Sequence, residues 1–222
     1  MNHDPDGSAP AGGTTSLMRA FLLCLALIAI FIVGDLAFFA NGASFKREGG
    51  GLETVSAVLY GVAAIVFFIN APAREWARLF HVPALMVLFA MRELDMDKAF
   101  TPSGVLSLRL YSGDAPLMTK LIAGAVAVFA VFVILRNVWF GTRGGWQALR
   151  AGQLWPWFAL LAGALVVATK SVDGLGRKML DFGIVISQDL DATASLAEEV
   201  GEVFIPVCAI LAMLACWKRT PR

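Results

Sequence analysis

Charge is what this chain lacks most. Asp, Glu, Lys and Arg make up 16% of its 222 residues and apolar residues 58%, where an average soluble domain carries about 25% and about 45–50%. That balance excludes a disordered chain, a collagen-like fibre and a disulfide scaffold, and it points to a membrane protein. Histidine is nearly missing: there are two, His3 and His81. His81 precedes Glu93 by 12 residues, about 18 Å along a helix. No Ser-His-Asp or Cys-His constellation can therefore be built with the acidic residues around Glu93, and haem ligation by two histidines is excluded. The three cysteines, Cys24, Cys208 and Cys216, lie in apolar stretches with no CxxC pair. Thiol and imidazole ligands for zinc are thus not available. A formal net charge of +1 lacks the strongly basic face that nucleic acid requires, so no such partner is expected.

What the chain has in quantity is uninterrupted apolar sequence. Between charges run Ala20–Gly34, Thr54–Ala73, Leu79–Met91, Leu121–Leu135, Ala151–Thr169 and Val203–Trp217. Crossing a hydrocarbon layer of about 30 Å takes about 20 residues of helix, and lipid admits no other open backbone conformation. The second and fifth runs suffice unaided. The first extends past Asp35 through Leu36–Ala40, and the fourth past Arg136 through Phe140. The third spans only by drawing Arg92 and Glu93 toward the membrane, and the sixth only by drawing in Glu202; a re-entrant hairpin is the alternative for the third. The expectation is an all-α polytopic membrane protein with six transmembrane helices over residues 16–217. A polar tail would precede it at 1–15 and a basic tail follow at 218–222. Pro156 falls near a helix start, where its missing N–H matters little, and Pro83 and Pro206 are tolerable kinks. Ala57/Gly61, Ala159/Gly163 and Ala164/Ala168, four apart, would let helices two and five approach their neighbours closely.

Alternating connections sort the charges by side. One side holds Arg19, Arg74, Arg78, Arg136, Arg143, Arg150, Lys218, Arg219 and Arg222 against only Asp4, Asp6 and Glu75. These bases crowd the span ends in short loops, which places both termini in the cytoplasm of a bacterial inner membrane. Trp139, Trp155, Trp157 and Trp217 form an aromatic belt on that face.

The other side collects the unusual charges. Asp35 closes helix one, Glu53 opens helix two, and Arg92-Glu93-Leu94-Asp95-Met96-Asp97-Lys98 closes helix three. Lys120 opens helix four, Lys170, Asp173 and Arg177 close helix five, and Glu198, Glu199 and Glu202 open helix six. Ionisable groups at lipid depth turn toward the bundle interior and find partners. Helical spacing lets Arg92 pair with Asp95, puts Glu93 and Asp97 on a neighbouring stripe, and aligns Lys170, Asp173 and Arg177 if the helix survives Gly174 and Gly176. Two carboxylates in one low-dielectric pocket need a cation between them. Asp114, Asp189 and Asp191 are assigned to loops. Val105–Tyr111 reads as a short amphipathic segment on the outer interface, a candidate lid.

The run Arg92-Glu93-Leu94-Asp95-Met96-Asp97-Lys98-Ala99-Phe100-Thr101, with Arg109-Leu110-Tyr111, Pro116 and Lys120 beyond it, resembles a stretch of uncharacterised bacterial multi-pass inner-membrane proteins. Their pattern reads R-E-M-D-F-H-K before F-T, and here Asp97 stands in place of the histidine. The likeness covers roughly Glu53 to Lys120. It implies membrane residence and no activity.

The expected function is an extracytoplasmic-side charged intramembrane cavity that binds a polar small ligand, a lipid headgroup or a hard cation. Glu53, Glu93 and Asp95 would serve as carboxylates for metal coordination or proton transfer, with lipid hydrolysis or transfer as the fitting chemistry. Arg92, Asp97, Lys98, Lys120, Lys170, Asp173, Arg177, Glu198 and Glu202 would bind the ligand. An oxygen-rich site for Mg²⁺, Ca²⁺ or Mn²⁺ stays open. The partners would be membrane lipids or another membrane protein. A non-catalytic scaffold is the alternative, and a transporter ranks third because nothing marks inverted repeats.

Overall fold

The computed structural model describes residues 12–38, 51–101 and 104–217, with the side chains of Thr14, Asp35, Leu36, Phe38 and Asp97 outside that description. Most of the expected polar tail, His3, the residues at 218–222 and the whole 39–50 connection lie outside it too. Within it the chain is helical, with no strand. In order the helices are α1 (Gly12–Phe38), α2 (Gly51–Asn70), α3 (Ala73–Leu79), α4 (His81–Glu93) and α5 (Met96–Phe100). There follow α6 (Leu108–Ser112), α7 (Leu117–Arg150), α8 (Trp155–Val172), α9 (Leu175–Asp181) and α10 (Gln188–Cys216).

Five of these, α1, α2, α7, α8 and α10, are long and apolar enough to cross a membrane. At 13 residues α4 reaches only about 20 Å. Local signals set several boundaries. Pro116 precedes α7 and Pro156 occupies the first turn of α8, positions where a missing N–H removes no internal bond. The Ser187 hydroxyl caps α10 by accepting from the Leu190 N–H at 3.3 Å. Gly174, at φ 61°, takes the left-handed conformation that stops α8, leaving Asp173 as its C-cap. Asp95 turns the chain after α4 at φ 48°, a region that Asp enters more cheaply than most residues.

α2 and α10 form the centre. Half of the spanning window of each is buried, against 11% for α1, α7 and α8. Leu59, Ala63 and Phe67 of α2 pack with Met86 of α4 and with Val203, Val207 and Ile210 of α10. α10 packs against α8 and α2, α2 against α4, α4 against α7, and α1 against both α2 and α10. Outward-facing apolar residues such as Leu23, Ile30, Val128 and Val167 are exposed, as side chains bathed by lipid would be.

Two helix contacts set the geometry of the polar end. Between the antiparallel α2 and α4, Ser56 meets Glu93 and Tyr60 meets Phe89, two successive rungs one turn apart. Between α8 and α10, a Cβ added at Gly201 would lie 2.6 Å from Thr169 Cγ2, so the backbones approach closely there. Gly61 and Gly163, expected to do this, do not. A Cβ added at Gly61 or Gly163 meets nothing within 4 Å, because those faces turn away from the neighbouring helix.

α10 starts at Gln188, well before Glu198. Asp189 and Asp191, expected in a loop, therefore form its acidic first turn, favourable to the helix dipole. Glu198 and Glu202 sit several turns inside the helix, where the dipole gives no reason for an acid.

Candidate functional site

Four helices bring titratable side chains to the same end of the bundle. Glu202 of α10 is buried at 8% exposure. Its Oε1 accepts from Arg92 Nη2 of α4 at 3.0 Å and from Lys170 Nζ of α8 at 3.1 Å. Lys170 also reaches Asp173 Oδ2 at 3.1 Å and Glu198 Oε1 at 3.6 Å. One ammonium thus links three carboxylates, and one carboxylate links two cations. A pair of acids at low dielectric needs such a cation between them, and here a lysine supplies it.

Glu93, also 8% exposed, points toward α2. Its Oε2 accepts from the Ser56 hydroxyl at 2.9 Å, and Ser56 Oγ lies equally close to the Glu53 carbonyl oxygen. Glu53 and Glu202 both act electrostatically on Glu93, and Glu53 on Glu199. Ion pairs thus join Arg92, Lys170, Asp173, Glu198 and Glu202, and Glu93, next to Arg92 in the chain, bonds Ser56. Burial alone would raise the Asp173 carboxyl, but the hydrogen bond and charge of Lys170, with Lys178 and Arg92 beyond, hold it below the usual aspartate range.

Other expected members stand elsewhere. Asp95 does not pair with Arg92: α4 ends at Glu93, the spacing is no longer helical, and Asp95 Oδ1 instead meets Lys98 Nζ at 2.8 Å in an exposed pair. The Asp97 side chain lies outside the described residues. Lys120 donates to the Gly113 carbonyl at 2.7 Å, which fastens the start of α7 to the preceding turn. Arg177 does not share a stripe with Lys170, because Gly174 ends α8 and puts Arg177 on α9, folded back over Gly174. His81 is 1% exposed and packed, accepting from Arg136 Nε at 3.2 Å at the opposite end of α4.

Two polar residues that pattern reading passed over belong to this end. Ser56 and Tyr60 follow Glu53 at i+3 and i+7, one stripe of α2; that spacing was the available signal, masked by the apolar run around it. Tyr60 is 2% exposed. Its hydroxyl makes no hydrogen bond to a described residue, although Glu93, Glu202 and Arg92 all act on it electrostatically. Helical side chains lean toward the helix N-terminus, so the phenol reaches from its Phe89 contact toward the Ser56–Glu93 rung.

The arrangement can hold a charged or hydrogen-bonding group. Arg92 and Lys170 keep 45% and 36% of their side-chain surface open while paired, and Glu202 keeps 11%. Among the described residues no three His, Cys, Asp or Glu side chains converge as a metal-binding group; Glu202, Glu198 and Asp173 face basic side chains. The recess lined by Gly176, Leu180, Ile184, Gln188 and Asp191 lies beside the α9–α10 connection, away from Glu202.

Comparison with protein-family models, with curated proteins and with solved structures finds no match to this chain. The class rests on the fold itself: an all-helical protein whose apolar helices are compatible with residence in a membrane.

Proposed function

We propose that this is a six-span protein of the bacterial inner membrane, with both termini cytoplasmic, that binds a lipid headgroup at the extracytoplasmic end of its bundle. α4 would complete the sixth crossing. Its support is the α2–α4 register: rungs at 60/89 and 56/93 run α4 alongside α2 toward the Ser56 end. Phe80, itself helical at φ −54° and ψ −25°, joins α3 to α4 and lengthens the apolar path.

The observation that carries the binding reading is the junction at Glu202. Two cations share one buried carboxylate oxygen yet stay partly open. An incoming phosphate can meet Arg92 and Lys170, which stay partly open while paired, and the acids around them suit a cationic headgroup group. Such a ligand arrives sideways from the bilayer. Native mass spectrometry of the purified chain tests this: wild type should retain phospholipid, and R92Q should lose most of it. Equal retention by both would remove the reading.

The non-catalytic scaffold has its own support, since Arg92 and Lys170 already bond carboxylates within the chain. It predicts that E202Q lowers stability and leaves lipid retention unchanged.

A further inference from the structure

The last third of α7 carries a stripe that the cluster at Glu202 does not use. At 100° per residue, Trp139, Arg143, Trp146 and Arg150 fall within an arc of about 60°. Gly145 and Ala148, which are buried, lie on the opposite side. Trp139 is 56% and Trp146 59% exposed. The Arg143 guanidinium stacks 4.0 Å from the centre of the Trp139 ring, and that of Arg150 4.9 Å from Trp146. Neither arginine bonds a carboxylate among the described residues, and the sequence holds no acid between Asp114 and Asp173.

The same arc is apolar further up the helix, where Leu121, Val128, Phe132 and Leu135 are exposed. From Leu117 to Leu135 the helix rises about 27 Å, close to the hydrocarbon thickness. The outward face therefore changes from aliphatic to Arg/Trp where a lipid-facing helix leaves the acyl chains. Arginine over tryptophan suits that depth: the ring sits at headgroup level and the guanidinium stays wet and available to phosphate.

We infer that the Trp139/Arg143/Trp146/Arg150 face of α7 is a binding surface for anionic phospholipid headgroups. The argument for that occupant is charge complementarity, with two unpaired guanidiniums beside a membrane and no competing acid on the helix. This surface stands independently of the Glu202 cluster, since His81 of α4, at the end away from Glu93, packs beside Arg136 and Asn137 of α7.

The test uses the full chain in detergent, titrated with dioleoyl phosphatidylglycerol or dioleoyl phosphatidylcholine and read by native mass spectrometry. Wild type should favour phosphatidylglycerol. That preference should fall about fivefold for each arginine removed in R143Q/R150Q, and survive in R143K/R150K. Raising salt from about 0.1 M to about 1 M should suppress it as the screening length shrinks from about 10 Å to about 3 Å. No preference in wild type, a preference untouched by R143Q/R150Q or by salt, or its loss in R143K/R150K would overturn the inference. So would an acidic protein that co-purifies stoichiometrically and is not displaced by phosphatidylglycerol.

Discussion

Arg92 and Glu202 are 110 residues apart in the chain, and their side chains meet at 3.0 Å. The contact ties the end of α4 to the middle of α10, and Lys170 ties α8 to the same oxygen at 3.1 Å. A carboxylate so placed is the common partner of two cations that would otherwise repel each other across a small gap.

Replacing Glu202 should therefore cost stability. E202Q keeps the shape and removes the charge, leaving Arg92 beside Lys170. The expected loss is about 2 kcal/mol, below the 3–5 kcal/mol of a fully buried broken pair because both cations are partly solvated. Thermal unfolding of the purified chain in detergent measures it, and an unchanged melting temperature would deny the junction a structural role.

Gly201 and Gly163 should respond oppositely to the same substitution. G201A places a methyl group 2.6 Å from Thr169 Cγ2. Forcing α8 from α10 should cost about 1–3 kcal/mol. G163A meets open space and should be neutral or slightly stabilising, since Ala is the better helix former. The comparison needs only the two melting temperatures.

The Tyr60 phenol offers a test by sign. If its hydroxyl donates to a ligand held at the cluster, Y60F should weaken retention of that ligand roughly fivefold to tenfold, the effect of one hydrogen bond. A variant that is more stable and binds equally well would place the hydroxyl outside the site.

The number of crossings can be counted from labelling. In a background without Cys24, Cys208 and Cys216, cysteines at Arg74 and Asp114 should be reached by a membrane-impermeant maleimide from opposite sides. Labelling from one side would make α4 re-entrant and leave the five crossings whose helices are long enough.

Much of this could be read from composition and spacing, because lipid permits few backbone solutions. Charge-free runs located α2, α7, α8 and the apolar part of α10, and alternation carried Glu53, Arg92, Lys170 and Glu202 to one end. What pattern could not supply was partner choice. Arg92 has a neighbour of the right sign three residues on, Asp95, and bonds instead to Glu202, because the helix stops at Glu93 before that spacing can work. Likewise, Gly163 sits in a small-residue pair and touches nothing, while Gly201, with no such signature, meets Thr169. The early start of α10 was hidden by its polar first turns, which read as a loop until Ser187 is seen capping them.

The claim that polar groups from separate helices meet and couple is tested most directly by a double-mutant cycle on R92Q and E202Q, with unfolding free energy as the readout. The account predicts a coupling of about 1–2 kcal/mol, the double variant losing far less than the sum of the single ones. Additivity within about 0.5 kcal/mol would contradict it.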